Sequence, residues 1–549
     1  MREALLAALL IAQISETIEV RVTNIDVVVT DKSGKRVTGL TRDDFEVFEN
    51  GKAQQLSNFY EVLPEQLPVT GSQLPLVTGN RQPATDGQPA TETETRQRRI
   101  VLFIDNFSIH PFQRRKIFES IDRSLDTLLR PGDEAMVVAW YRGLRIEQHF
   151  TADHAALRSA IARVMETGSG MTYESDRQQI RSRCTQLLQD SGYRNPQGAF
   201  DNCVGIIQSY SEELSMIERH LIASTGSVLA MLGGMEGKKA MIYAGAALPK
   251  RPARELLVFA DNLFSPYLRN FRPSQMNARN LSTMSISIEG MAKTANANGV
   301  TVYMIDGADA SRGILPNASD DVAPDSQAAF TEYDNTAEAF QVVAKLTGGI
   351  ALTHTQNFDL AMDTVARDLD NYYSLGYRQE SGEKKERRVE VRVKNHPDYR
   401  VRSRRTYEAR TLDEQLSDRV IANIYREGKS ELAIAVQTGA PAKSSRNRWS
   451  VPLSVTIPST LTLLPEGNEL AGGFNVFIAV GDDNGDMSKV TRIAKQVRIP
   501  AAREAELRRQ PLLFTADLSM NRGTHVVSVG VVDQLSNSSG YARARVVVH

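Results

Sequence analysis

The sequence predicts an α/β fold, a doubly wound and mainly parallel sheet with helices on both faces, flanked by β-sandwich modules. Three observations carry this. From Arg98 to Tyr377, short apolar runs alternate with stretches whose apolar residues recur at helical spacing, as strands and helices alternating along the chain should. A proline- and threonine-rich stretch precedes that region, and runs of period-two alternation occupy both sides of it. At 549 residues the chain is too long for one hydrophobic core.

Taken in order, Met1-Arg2-Glu3 leads into the apolar run Ala4 to Ala12. That run is too short to span a bilayer and suits the core of a signal peptide. Residues 1–16 are therefore expected to be a targeting segment, and the protein to be exported to a periplasm, a cell surface or the medium. The alternative is a short helix that stays on the chain. Residues 17–62 read as strands, with Asp26 to Thr30 entering the hairpin-type turn Asp31-Lys32-Ser33-Gly34-Lys35 and Asn50-Gly51 marking a second turn. Residues 63–97 hold Pro64, Pro68, Pro75, Pro83 and Pro89 and no aromatic residue, the composition of a linker.

Residues 98–380 are expected to form the parallel-sheet domain. Ile100 to Asp105 and Ala135 to Trp140 are continuous apolar runs, as strands covered on both faces should be. Between them Ile117, Phe118, Ile121, Leu125, Leu128 and Leu129 keep helical spacing until Pro131-Gly132. Leu144 to Phe150 reads as an edge strand, and Thr151 or Asp153 as the cap of a helix through Ala155 to Val164. Further helices are expected over 212–232, 287–298, 337–346 and 358–370, and strands over 239–243 and 300–306. Residues 166–211 lack a strong period and read as a polar insertion. They hold the chain's two cysteines, Cys184 and Cys203, which in an exported protein are expected to close a disulfide, two buried free thiols being the alternative.

Residues 385–410 turn β again, and 411–549 carry alternating runs from Trp449 to Val548 that read as a C-terminal β-sandwich. A segment as short as 17–62 buries too little surface to stand alone. Its strands are therefore expected to pair with those of 385–408, leaving the parallel-sheet domain inserted into a composite sandwich.

Composition narrows the function. Lys and Arg number 65 against 66 Asp and Glu, a net charge of −1 that leaves no footprint for nucleic acid or an anionic membrane. Beyond the N-terminus no apolar run is long enough for a transmembrane helix. No G-x-S-x-G, H-E-x-x-H or C-x-x-C occurs. Gly233-Gly234-Met235-Glu236-Gly237-Lys238-Lys239 has the wrong glycine spacing for a phosphate loop and reads as a helix-to-strand turn. Asp482, Asp483, Asn484 and Asp486 crowd one hairpin without the closing Glu of a calcium loop.

Several strings carry a family resemblance: Val27-Val28-Val29-Thr30-Asp31-Lys32-Ser33-Gly34, Asp44-Phe45-Glu46-Val47-Phe48-Glu49-Asn50-Gly51, Arg99 to Asp105, Gly237 to Tyr243 and Asn371 to Tyr377. Over residues 18–408 the chain resembles the bacterial, acidobacterial-type proteins related to von Willebrand factor A (vWA). The resemblance implies a vWA fold and, in many relatives, a metal-ion-dependent adhesion site. That site joins a D-x-S-x-S loop after the first strand, a Thr from a later loop and an Asp after the fourth strand around Mg²⁺ or Mn²⁺. Here Asp105 matches, but Phe107 and Ile109 stand where the serines belong, with Ser108 out of register and His110 beyond. Thr172 follows Gly168-Ser169-Gly170-Met171 in a candidate loop, and Gly245-Ala246 supplies no carboxylate. No metal, cofactor or catalytic residue is expected. The expectation is a non-enzymatic exported protein that meets a protein or cell-surface ligand through a face built from Asp105, Asn106, Ser108, His110 and Thr172. Metal-dependent adhesion through an altered site of Asp105, Ser108 and Thr172 is the alternative, and an uncharacterised hydrolase the third reading.

Overall fold

A computed structural model describes residues 21–63, 97–109, 111–167, 171–246, 248–268, 284–307, 326–353, 355, 357–379, 386–408, 410–482 and 487–549. The expected signal peptide, nearly all of the linker, His110 and residues 483–486 of the acid-rich hairpin lie outside the described residues.

Residues 21–62 form strands β1 (Arg21–Thr30), β2 (Phe45–Glu49), β3 (Lys52–Gln54) and β4 (Leu56–Val62). The turn after β1 is built by Asp31, whose carboxylate accepts from the amides of Ser33 and Lys35, each at 2.9 Å. Gly34 supplies the positive φ of 84° that this turn requires.

The central domain then runs β5 (Arg98–Ile104), α1 (Pro111–Leu128), β6 (Glu134–Trp140), β7 (Leu144–Thr151), α2 (His154–Glu166), α3 (Met171–Asp190), α4 (Pro196–Gly233), β8 (Lys238–Gly245), α5 (Arg254–Phe264), α6 (Ser285–Ala297), β9 (Val300–Asp306), α7 (Ser326–Thr347), β10 (Ala351–Leu352) and α8 (Phe358–Asp370). Its strands lie in the order β7-β6-β5-β8-β9-β10, and every neighbouring pair is parallel except β6–β7. The chain starts mid-sheet, winds to one edge, returns and winds to the other, which makes this a doubly wound, vWA-like α/β domain. Along β5, Ile100, Leu102 and Ile104 pack under α1, α2 and α8, whereas Val101 and Phe103 face α4, α6 and α7. Alternate residues serve opposite faces, and the whole strand is buried, hence its unbroken apolar run.

Residues 166–211, expected as an aperiodic insertion, are largely helical. Helix α4 starts at Pro196 and runs 38 residues, absorbing the helix expected from Glu212. Asn195 caps it by accepting from the Gly198 amide, and Pro196 occupies the first turn where its missing N–H costs nothing. Among the described residues the buried stripe of α3 is narrow, comprising Arg177, Cys184 and Leu188, so its hydrophobic period is weak. Cys184 is joined to Cys203 of α4 by a disulfide with Cα atoms 5.1 Å apart, and both residues are buried.

The chain next forms β11 (Tyr372–Gln379), β12 (Glu386–Val393), β13 (Arg400–Ser403) and β14 (Thr406–Glu408). Sheets β13-β1-β11-β4 and β14-β12-β2-β3 share a core of Ile25, Val27, Phe45, Val47, Tyr373 and Leu375, among others. Strands from both sides of the inserted domain thus make one sandwich. Tyr372 to Tyr377, expected within the parallel-sheet domain, instead lies between β1 and β4. Its alternate residues Tyr373, Leu375 and Tyr377 fill the sandwich core, and that burial decides where the strand goes.

The remaining segment opens with α9 (Leu412–Tyr425), whose capping box pairs Thr411 with Glu414. It packs Leu416, Val420 and Ile424 into the cluster that holds Leu221 and Leu232 of α4. Beyond it, strands over 448–457 and 512–520 form one sheet, and strands over 469–482, 491–500, 523–533 and 539–548 form another. Val451, Leu453, Val476, Val527 and Val529 join the two sheets into a sandwich.

Candidate functional site

In open α/β sheets ligands favour the crevice at the carboxyl ends of the strands where winding reverses, here between β5 and β8. Asp105 follows β5 and is completely buried. Its carboxylate accepts from the Tyr243 hydroxyl at 2.8 Å, the Ser108 hydroxyl at 2.5 Å and the Ser108 amide at 3.3 Å. The Ser108 oxygen accepts in turn from the Ala246 amide at 2.8 Å. Burial pushes Asp105 up to about 6, opposed by the hydrogen bonds from Ser108 and Tyr243. Gly245 has no alternative, since a Cβ there would stand 2.7 Å from that of Asp105. The missing carboxylate after β8 is therefore a packing requirement, because any side chain at 245 would displace Asp105. Asn106 is also buried, donating to the carbonyls of Val164 and Thr167 at 3.2 Å each and accepting from Arg114.

Helices α3, α4 and α5 form a cap at this edge of the sheet. Phe107, in the loop after β5, packs against both the sheet core and the cap core. Each cap helix brings a buried charge. Arg177 of α3 pairs with Glu255 of α5 at 2.9 Å, each side chain only 1% exposed. Glu218 of α4 is buried, and neither of its oxygens has a hydrogen-bond partner among the described residues. Burial holds Glu218 well above the usual carboxyl range; Arg177 opposes this, and the charges of Glu255 and Asp105 reinforce it. Among the described residues no three His, Cys, Asp or Glu side chains are grouped to hold a metal.

The expected ligand-binding face needs correcting. Asp105, Asn106 and Ser108 do come together, but they are buried inside rather than displayed, because the segment read as a polar insertion folds into the cap. Thr172 is not on a loop; it lies in the first turn of α3. His110 lies outside the described residues. Sequence reading missed Tyr243, Arg177, Glu218 and Glu255. One signal was available: Glu218 falls on the same helical stripe as Leu214, Leu221 and Ile222, and a lone acid in an apolar stripe marks a buried charge.

The outer surface of the cap offers a cleft of about 540 Å³ where α3 and α4 meet the β6–β7 turn, lined by Arg142, Asp176, Ile180, Arg183, Tyr210 and Glu213. Arg142 takes a left-handed φ of 67°, a conformation costly for a residue with a side chain. Its guanidinium lies 5.2 Å from the Phe107 ring centre and 3.2 Å from Glu213.

No protein-family model matches this sequence, and no curated protein matches it. Among solved structures, the chain is similar to an aerotolerance-related membrane protein from Bacteroides fragilis NCTC 9343 carrying multiple mutations to serines, with 10% identity, 50% of this chain and 98% of that one covered, and a TM-score of 0.23. It is similar to the conserved hypothetical protein BatB from Bacteroides thetaiotaomicron, with 10% identity, the same coverages and a TM-score of 0.21. A third, Northeast Structural Genomics Consortium target SoR45, shares 15% identity over 22% of this chain and 90% of its own, with a TM-score of 0.16. At these scores the similarities carry no functional argument, and the fold rests on the strand order alone.

Proposed function

We propose that the protein is an exported, non-enzymatic vWA-like binding protein that recognises a protein or cell-surface ligand without a divalent ion at the sheet edge. The observation behind this reading is the state of Asp105. The carboxylate standing where the resemblance places a metal ligand is fully buried and occupied by three donors from Tyr243 and Ser108. A divalent ion there would have to displace those donors and open the cap. Recognition then falls to the cap exterior, where Arg142 and the cleft beside it are exposed on a loop and two helix faces. The absence of a transmembrane-length apolar helix among the described residues is compatible with an exported domain.

Titrating Mg²⁺ and Mn²⁺ into chelator-treated protein should leave the melting temperature within about 1 °C. A saturable rise that Asp105→Ala abolishes would sink this reading in favour of the altered metal site of Asp105, Ser108 and Thr172. Capture from the native envelope fraction should retain a partner on wild-type protein and lose it on Arg142→Glu.

A further inference from the structure

At the opposite end of the central sheet, its strand starts meet the composite sandwich around a small, partly open cavity of about 30 Å³, lined by Asp26, Lys238, Gly299, Tyr303, Asp368 and Arg404, among others. Two cations and two acids line it, and Arg36 and Arg402 beside Asp368 tip the surroundings towards positive charge. The buried Asp368 is already saturated, bonded to Arg36 and Arg402 and accepting from the Tyr303 hydroxyl at 2.7 Å. Asp26 is the acid nearest Lys238, but it stands 3.9 Å away and its side chain is 35% exposed. Lys238 has a side chain only 5% exposed and lies 3.1 Å from the Tyr372 ring centre. Arg404 donates to the Asn24 carbonyl, and no carboxylate pairs with it among the described residues. Of the neighbouring cations, Arg98 is matched by Asp133 and Asp370, whereas Lys239 and Arg367 add to the positive field.

We propose that this cavity is a binding site for one small monovalent anion, chloride-sized, held by Lys238 and Arg404 at the junction of the central domain and the sandwich. The volume admits a monatomic ion or a water and is too small for sulfate or phosphate. The surplus of cations around the buried Lys238 chooses the anion, since like charges held together partly out of water are costly until a counter-charge joins them. The electrostatics agree. Burial lowers Lys238 to about 7, with repulsion from Arg98, Arg402 and Arg36 adding to the fall and only Asp26 opposing it. Arg36 is likewise depressed, to about 10, by burial and by Arg402. An anion would restore charge to Lys238 and tie β8 and β9 to β1 and β13.

The test is thermal unfolding of the full chain at pH 6.5, exchanging sodium gluconate for sodium chloride at constant ionic strength. Chloride and bromide should raise the melting temperature by about 2–4 °C, saturably, and sodium sulfate at the same ionic strength should not. The rise should shrink by pH 8.5 as Lys238 loses its proton, and Lys238→Met should abolish it. Should that variant fail to fold, Arg404→Gln must weaken the rise instead. Equal melting in gluconate and chloride would mean that the cavity holds water alone and would overturn the proposal. So would an equal rise with sulfate, or a chloride effect that survives Lys238→Met.

Discussion

At the carboxyl ends of the central strands, Glu218 and Glu255 share the buried Arg177 beneath three helices, and Asp105 adds a third buried acid. At the amino ends, Lys238, Arg36, Arg402 and Arg404 share Asp26 and Asp368 against a sandwich. The two ends of one sheet thus bury opposite surpluses, and they respond to pH in opposite senses. Asp105 is raised from 3.8 to about 6, so its contribution is complete below about pH 4 and is lost as pH rises through 6. Lys238 is lowered from 10.5 to about 7, so its contribution is complete only at high pH and is lost as pH falls through 7. Between about pH 6 and 7 neither contribution is in force.

The sharpest way to break this contrast is to remove the buried cation Arg177. Arg177→Met takes the ion-pair partner from Glu255 and should cost about 3–5 kcal/mol in urea unfolding at pH 7. A loss below about 1 kcal/mol would show that the acids at this end need no cation. Next comes the disulfide that holds the cap together. Replacing both Cys184 and Cys203 by Ser should cost about 3 kcal/mol for the sequence separation of 19 it closes, and intact-mass analysis of alkylated wild-type protein should find no free thiol. Asp105→Asn tests the acid end alone. It should remove about 2–3 kcal/mol of the stability lost between pH 4 and 7, flattening that limb of the profile. The smallest effect belongs to the other end. In gluconate at pH 6, Lys238→Met should stabilise the protein by about 1 kcal/mol, because it removes an uncompensated buried charge. If both substitutions shifted stability in parallel at every pH, the opposition between the two ends would not exist.

The sheet was legible wherever burial on both faces forced unbroken apolar runs, as in Ile100 to Ile104 and Ala135 to Trp140. Local caps were legible too, with Asp153 accepting from the amides of Ala155 and Ala156. The start of α4 was missed, although Asn195 caps it and Pro196 opens its first turn. The length of that helix escaped because its first half packs on α3 and α5 through Ala199, Phe200, Cys203 and Ile207, a stripe diluted by Asp201, Asn202 and Gly205. The candidate site was legible only in part. Asp105 could be singled out from the end of its strand, but its burial depends on Tyr243, 138 residues away, and on helices whose placement no local pattern encodes. The stretch from Tyr372 to Tyr377 was singled out only as a string of family resemblance and placed with the parallel-sheet domain. Which sheet received it depended on Val27 and Val29 at the far end of the chain.

That last pairing sets an order of assembly. The Tyr373 hydroxyl donates to the Val37 carbonyl across 336 residues of chain. At synthesis rates of about 5–20 residues per second, residues 21–62 wait roughly 20–70 s for their partners. During that interval the run from Asp26 to Thr30 presents unpaired, β-branched backbone to any other chain. The central domain is the natural first folder, because its parallel strands find one another over shorter loops. Once closed, it holds the start of β5 and the end of α8 side by side, with Arg98 bonded to Asp370 at 2.5 Å. A search across more than three hundred residues then contracts to the closure of a few short flanking segments. Folding of the inserted domain acts as an internal template for the sandwich, and a lesion that slows the centre should surface first as misassembly at the ends.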